Sequence, residues 1–175
     1  MDTAEDKVNL PSIALIVIGV LNILFWLAWS GYAIFVIIVG GGLNVFLNLS
    51  ALMVDEMVFG ALVGMLWGPL VQSCTCGVNI GMALGSLLLI AAGIKLRSLS
   101  DKGIVFLGVA AGVIGPLLSM VLGVLASVAT LSCCGLVFGQ LPTLIVLLIN
   151  AGIGAWALVV MSDDDVSDAF EANSQ

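Results

Sequence analysis

The chain has 175 residues, of which 62% are apolar and 9% charged, and it carries a formal net charge of −7. Soluble domains run at roughly 45–50% apolar and 25% charged, so this composition excludes an ordinary soluble fold and fits a polytopic membrane protein. Four spans with short connections use the whole length, leaving no room for an extra soluble domain, and four basic residues in all make no patch for nucleic-acid phosphates.

No Asp, Glu, Lys, Arg or His lies between Lys7 and Asp55, between Glu56 and Lys95, or between Lys102 and Asp163. Each gap holds at least the ~20 apolar residues that a helix needs to cross a hydrocarbon core. In chain order, the acidic leader Asp2, Glu5 and Asp6 precedes a run too long for a cleavable signal core, so it reads as a retained first span. That span covers about 13–39, opened by Pro11 and closed by Gly40, Gly41 and Gly42. Trp26, Trp29 and Tyr32 within it read as packing residues.

From 43 to 71 the pattern changes. Asn44, Asn48, Ser50, Asp55 and Glu56 interrupt the first part, and Gly60, Gly64, Gly68 and Pro69 the second. The composition predicts an interfacial or re-entrant segment. A second span follows at about 76–94, ended by Lys95 and Arg97. A third lies at about 103–129, with a kink expected at Pro116. A cysteine-bearing turn, 132–142, leads to the fourth, at about 143–161. The tail 162–175 carries Asp163, Asp164 and Asp165, which oppose the dipole of a preceding helix C-terminus and encourage fraying, so a frayed or loosely helical tail is expected. The fold class is therefore an all-α integral membrane protein with four transmembrane helices and one non-crossing segment. Four spans put Lys7, Lys95, Arg97 and Lys102 on one side, which the positive-inside rule makes cytoplasmic, together with both termini.

Three constellations are candidates for chemistry or assembly. Gly60, Gly64 and Gly68, Gly81 with Gly85, and Gly108 with Gly112 make small-residue faces on which helix backbones approach closely. Packing within the chain is the first expectation for such pairs, and the three-glycine stripe is the best oligomer candidate. Cys74, Cys76, Cys133 and Cys134 fall on the exported side, where unpaired thiols, a disulfide and a metal site all remain open. Asn22, Asn79 and Asn150 are the polar residues at depth, and interhelical hydrogen bonding is expected of them. Without a single His, Ser–His and Cys–His nucleophile pairs are ruled out, and no cofactor is expected.

The stretch Leu88 to Gly103, LLIAAGIKLRSLSDKG, the run Cys133-Cys134-Gly135, and Gly152 to Phe170, GIGAWALVVMSDDDVSDAF, resemble a group of small, mostly uncharacterised prokaryotic membrane proteins. Their last span reads GIWALVVL and precedes an acidic-V-x-x-AF tail; the opening PSIALIVIGVLNIL is also similar to their first span. Here an insertion separates the cysteines from the last span, and Ala155 stands where the pattern has Ile. The resemblance implies topology, in a bacterial inner membrane, and marks Gly152, Trp156, Val166 and Phe170. It implies that the tail folds back along the membrane surface or docks on a partner, with Trp156 and Phe170 as anchors.

The leading expectation is a small membrane subunit or scaffold, not an enzyme, whose partners are the lipid bilayer and itself or other membrane proteins. The alternative is a channel or a carrier of lipids or small molecules whose path contains no charge.

Overall fold

A computed structural model describes residues 3–35, 38–39, 58–129 and 133–173, leaving aside the side chains of 58–72, 75 and 126–139. The described elements are all helical: α1 (Ala4–Phe35), α2 (Val58–Arg97), α3 (Lys102–Ala129), α4 (Cys133–Met161) and α5 (Asp164–Asn173). Four stretches are long and apolar enough to cross a membrane: Ala4–Phe35, Cys76–Arg97, Lys102–Leu125 and Gln140–Met161. This is an all-α membrane protein. Its buried polar side chains among the described residues are Ser12, Asn22, Ser30, Asn79, Ser86, Thr143 and Asn150, all neutral. Leu, Ile and Val dominate the exposed surface, as a lipid solvent requires.

Several boundaries differ from the expectation. α1 starts at Ala4 rather than at Pro11, because Thr3 caps it: the Asp6 N–H donates to Thr3 Oγ1 at 3.4 Å, and the Thr3 N–H donates to Asp6 Oδ2 at 3.3 Å. This reciprocal pair is a capping box with Asp in place of Glu, and it leaves Pro11 inside the helix. α4 likewise begins at Cys133 and carries Pro142 internally, where a turn was expected; membrane helices tolerate internal prolines when neighbouring groups re-satisfy the backbone. Residues 58–71 are not a separate element, since α2 runs unbroken for 40 residues. The remainder of the expected interfacial segment, 43–57, lies outside the described residues.

The chain divides into two compact units, Met1–Phe25 with Met82–Gln175, and Trp26–Gly81. In the first, α1 and α2 run antiparallel with small residues in mutual contact positions. A Cβ on Gly19 would stand 3.2 Å from the Ser86 carbonyl oxygen, and one on Gly93 would stand 2.7 Å from that of Ser12. Ser12 and Gly19 are seven residues apart, as are Ser86 and Gly93, so one small-residue heptad faces another. α3 returns along α2, where Gly108 presses on the Leu88 carbonyl and the Ala92 side chain, and Gly112 on Leu89. α4 packs on α3 through Gly154 against Val109.

The second unit contains the end of α1 and the first part of α2. Trp26, Ser30 and Ala33 are buried there, and Ser30 Oγ donates to the Trp26 carbonyl at 2.8 Å. The rings of Trp29 and Tyr32 lie 5.7 Å apart. Asn79 is buried, and its Nδ2 has no hydrogen-bond partner among the described residues.

Candidate functional site

Two polar constellations organise the first unit. The first lies within the spans and starts from a proline. Pro116, inside α3, has no N–H, so the Gly112 carbonyl four residues earlier loses its helical donor. Asn150 of α4 supplies the replacement, donating from Nδ2 to the Gly112 oxygen at 2.7 Å. Its Oδ1 in turn accepts from Asn22 Nδ2 of α1 at 3.0 Å. A chain of amides thus pins α1, α3 and α4 around an expected kink. Both asparagines are buried. In a membrane-embedded interior such bonds contribute about 0.6–1.7 kcal/mol each.

The second constellation is a platform at the end where Lys7 and the α2–α3 turn meet the tail. α2 closes through a Schellman arrangement: the Leu99 N–H donates to Leu96 O at 3.2 Å and the Ser100 N–H to Lys95 O at 3.3 Å. Leu99 occupies the left-handed position with φ 50°, where glycine is usual and another residue costs about 1–2 kcal/mol. Burial of its side chain in the platform core offsets that strain. Asp101 then caps α3, accepting from the Ile104 N–H at 3.1 Å.

The tail reaches this platform as a helix, the second of the two forms expected of it. α4 stops at Met161, and Asp163 starts α5 by accepting from the Asp165 N–H at 3.2 Å. Asp164 and Asp165 therefore stand in a first turn, where they favour the dipole instead of opposing it. Val166 and Phe170, four residues apart on one face, are 0% and 2% exposed and join Val8, Leu96, Leu99 and Val105 in one core. Burying each contributes about 1.5–3 kcal/mol.

Two lysines flank that apolar contact. Lys7 Nζ donates to Asp163 Oδ1 at 2.9 Å and to Asp165 Oδ2 at 2.8 Å. Lys102 Nζ donates to Ser167 Oγ at 2.8 Å and lies 5.7 Å from the centre of the Phe170 ring. The Lys7 hydrogen bond holds the Asp163 carboxyl below the usual carboxylate range. A groove of about 500 Å³ opens beside α5, lined by Ser100, Asp101, Lys102, Phe170, Glu171 and Asn173.

The expected site residues separate clearly. Gly108 and Gly112 lie against α2 within the chain, whereas Gly81 and Gly85 face open space, as does Gly77 one turn earlier. The surroundings of Gly60, Gly64 and Gly68 lie outside the described side chains. Cys74 and Cys76 are free thiols; the side chains of Cys133 and Cys134, the other two cysteines of that candidate set, are outside the description. No group of three or more metal-ligating residues occurs among the described residues. Trp156 is exposed near the end of α4, as suits an interfacial anchor, but Phe170 is a core residue of the chain's own platform. The link between Pro116 and Asn150 has a sequence signal of its own: a proline in a span predicts that the carbonyl four residues earlier needs a donor. No protein family matches the chain, and neither does any curated protein or solved structure.

Proposed function

We propose that the chain is a small integral subunit or scaffold of a bacterial inner membrane, with both termini cytoplasmic, acting through helix packing with further copies of itself or with other membrane proteins. The observation that carries this reading is the face of α2 bearing Gly77, Gly81 and Gly85. A Cβ at any of the three would meet nothing within 4 Å, while the comparable pair Gly108 and Gly112 is already used inside the chain. A small-residue face with open space beside it suits the close approach of another helix. The reading assigns no chemical step to the protein. The neutral interior of the spans agrees with it, since proton relays and ion-coupled transport need ionisable groups at depth. The test is the native mass after mild extraction. Multiples of 18.0 kDa, or a larger mixed species, are expected; a lone chain of that mass sinks the proposal.

One observation favours the second reading, a channel or carrier for neutral solutes or lipids. Asn79 holds a buried amide donor without a partner among the described residues, and such a group is costly unless something binds it. That reading predicts solute flux through liposomes containing the pure protein, reduced by Asn79→Leu. Absence of flux counts against it.

A further inference from the structure

Lys7 and Lys102 stand at the starts of two apolar spans, Ala4–Phe35 and Lys102–Leu125. At that depth a lysine ammonium ordinarily meets lipid phosphate. Here both are turned onto α5: Lys7 onto Asp163 and Asp165, Lys102 onto Ser167 and the Phe170 ring. We propose that α5 is a releasable cap, and that the surface beneath it binds anionic phospholipid headgroups when the cap lifts. The binding groups are Lys7 and Lys102, and the floor between them is Val8, Leu96, Leu99 and Val105.

Three features argue for exchange with lipid. The carboxylates of Asp163 and Asp165 offer Lys7 the same chemistry as a phosphodiester, an anionic oxygen acceptor, so one replaces the other without a new kind of contact. The cap bears Asp163, Asp164, Asp165, Asp168 and Glu171 within nine residues. A negative lipid surface repels those acids while attracting the lysines, and both forces lift the cap. The polar grip is also partly exposed, with Lys7 at 28% and Asp165 at 71%, so it responds to the surface potential outside. The apolar floor suits the glycerol and upper acyl region of a lipid. The inference goes beyond the scaffold reading and does not depend on it.

The test uses the full chain in nanodiscs of phosphatidylcholine alone and of phosphatidylcholine with an equal part of phosphatidylglycerol, at low salt. Amide exchange of residues 164–173 is expected to accelerate about tenfold in the anionic discs. Equal exchange in both discs overturns the proposal. Release of the same size in neutral discs on adding inorganic phosphate overturns the lipid assignment, because the soluble anion would then suffice. A second measurement counts phosphatidylglycerol retained after extraction. Phe170→Ala, which loosens the cap while leaving the spans intact, is expected to retain at least twice as much as the wild type. Adding Lys7→Gln and Lys102→Gln is expected to abolish the gain. Equal retention by wild type and Phe170→Ala overturns the proposal.

Discussion

The amide chain inside the spans and the lysine platform at their end do the same mechanical task with different chemistry. Asn22, Asn150 and the Gly112 carbonyl join three helices without charge, where water and salt are excluded. Lys7, Lys102 and the acids of α5 join helix ends with charge, where solvent screens each contact. The difference teaches that the membrane assigns the chemistry by depth: a neutral amide is the strongest partner the interior tolerates, and an ion pair holds at the end only with Val166 and Phe170 beneath it.

The comparison breaks first at the close helix contact that supports the amide chain. Gly108→Leu places a side chain against the Leu88 backbone, which cannot give way. The cost is expected to exceed the about 1–3 kcal/mol of ordinary overpacking, so thermal unfolding in detergent should show no cooperative bundle. Gly31→Ala, in open space and away from the Gly81 face, should leave the transition unchanged. Phe170→Ala comes next, at about 3–5 kcal/mol. Its effect should stay local: proteolysis removes the tail, while the melting of the spans persists. Collapse of the spans as well would contradict the separation of the two regions.

Asn150→Leu leaves both the Gly112 carbonyl and Asn22 Nδ2 without their partner, at about 1–3 kcal/mol. Asn22→Leu removes a single bond and should cost less. A double-mutant cycle with clear coupling sharpens the account of one connected chain, whereas additive losses break it. The smallest expected effect is on pH. Because Asp163 titrates below its ordinary value in the folded protein, its contribution to docking is complete above the unfolded value of about 4. It is lost as pH falls through the lower folded value. Amide protection of α5 should therefore persist at neutral pH and decline only in acid, and Asp163→Asn should flatten that decline.

The spans were legible because the charge-free gaps record the solvent directly, and the edges at Lys95, Arg97 and Lys102 fell where helices end or begin. Asn22 and Asn150 were legible as interhelical bonds, but their partners were not, since only the fold tells which helix meets which. Pro11 and Pro142 misled as helix boundaries: as punctuation they count strongly in water, yet a capped helix carries them through. The tail was legible only as two alternatives, frayed or helical. Three aspartates after a span oppose one dipole or favour the next, and the choice depends on whether Val166 and Phe170 find a core. Their spacing of four was the available signal, and the core residues waiting for them come from distant parts of the chain.

The claim that one small-residue face is used inside and another is left for assembly is tested most directly by native mass spectrometry of the wild type beside Gly81→Leu/Gly85→Leu. The wild type should fly as a multiple of 18.0 kDa or in a larger complex, and the variant as a single chain that still unfolds cooperatively, at a temperature lowered only by the lost association. A monomeric wild type, or a variant that assembles as the wild type does, would contradict the account.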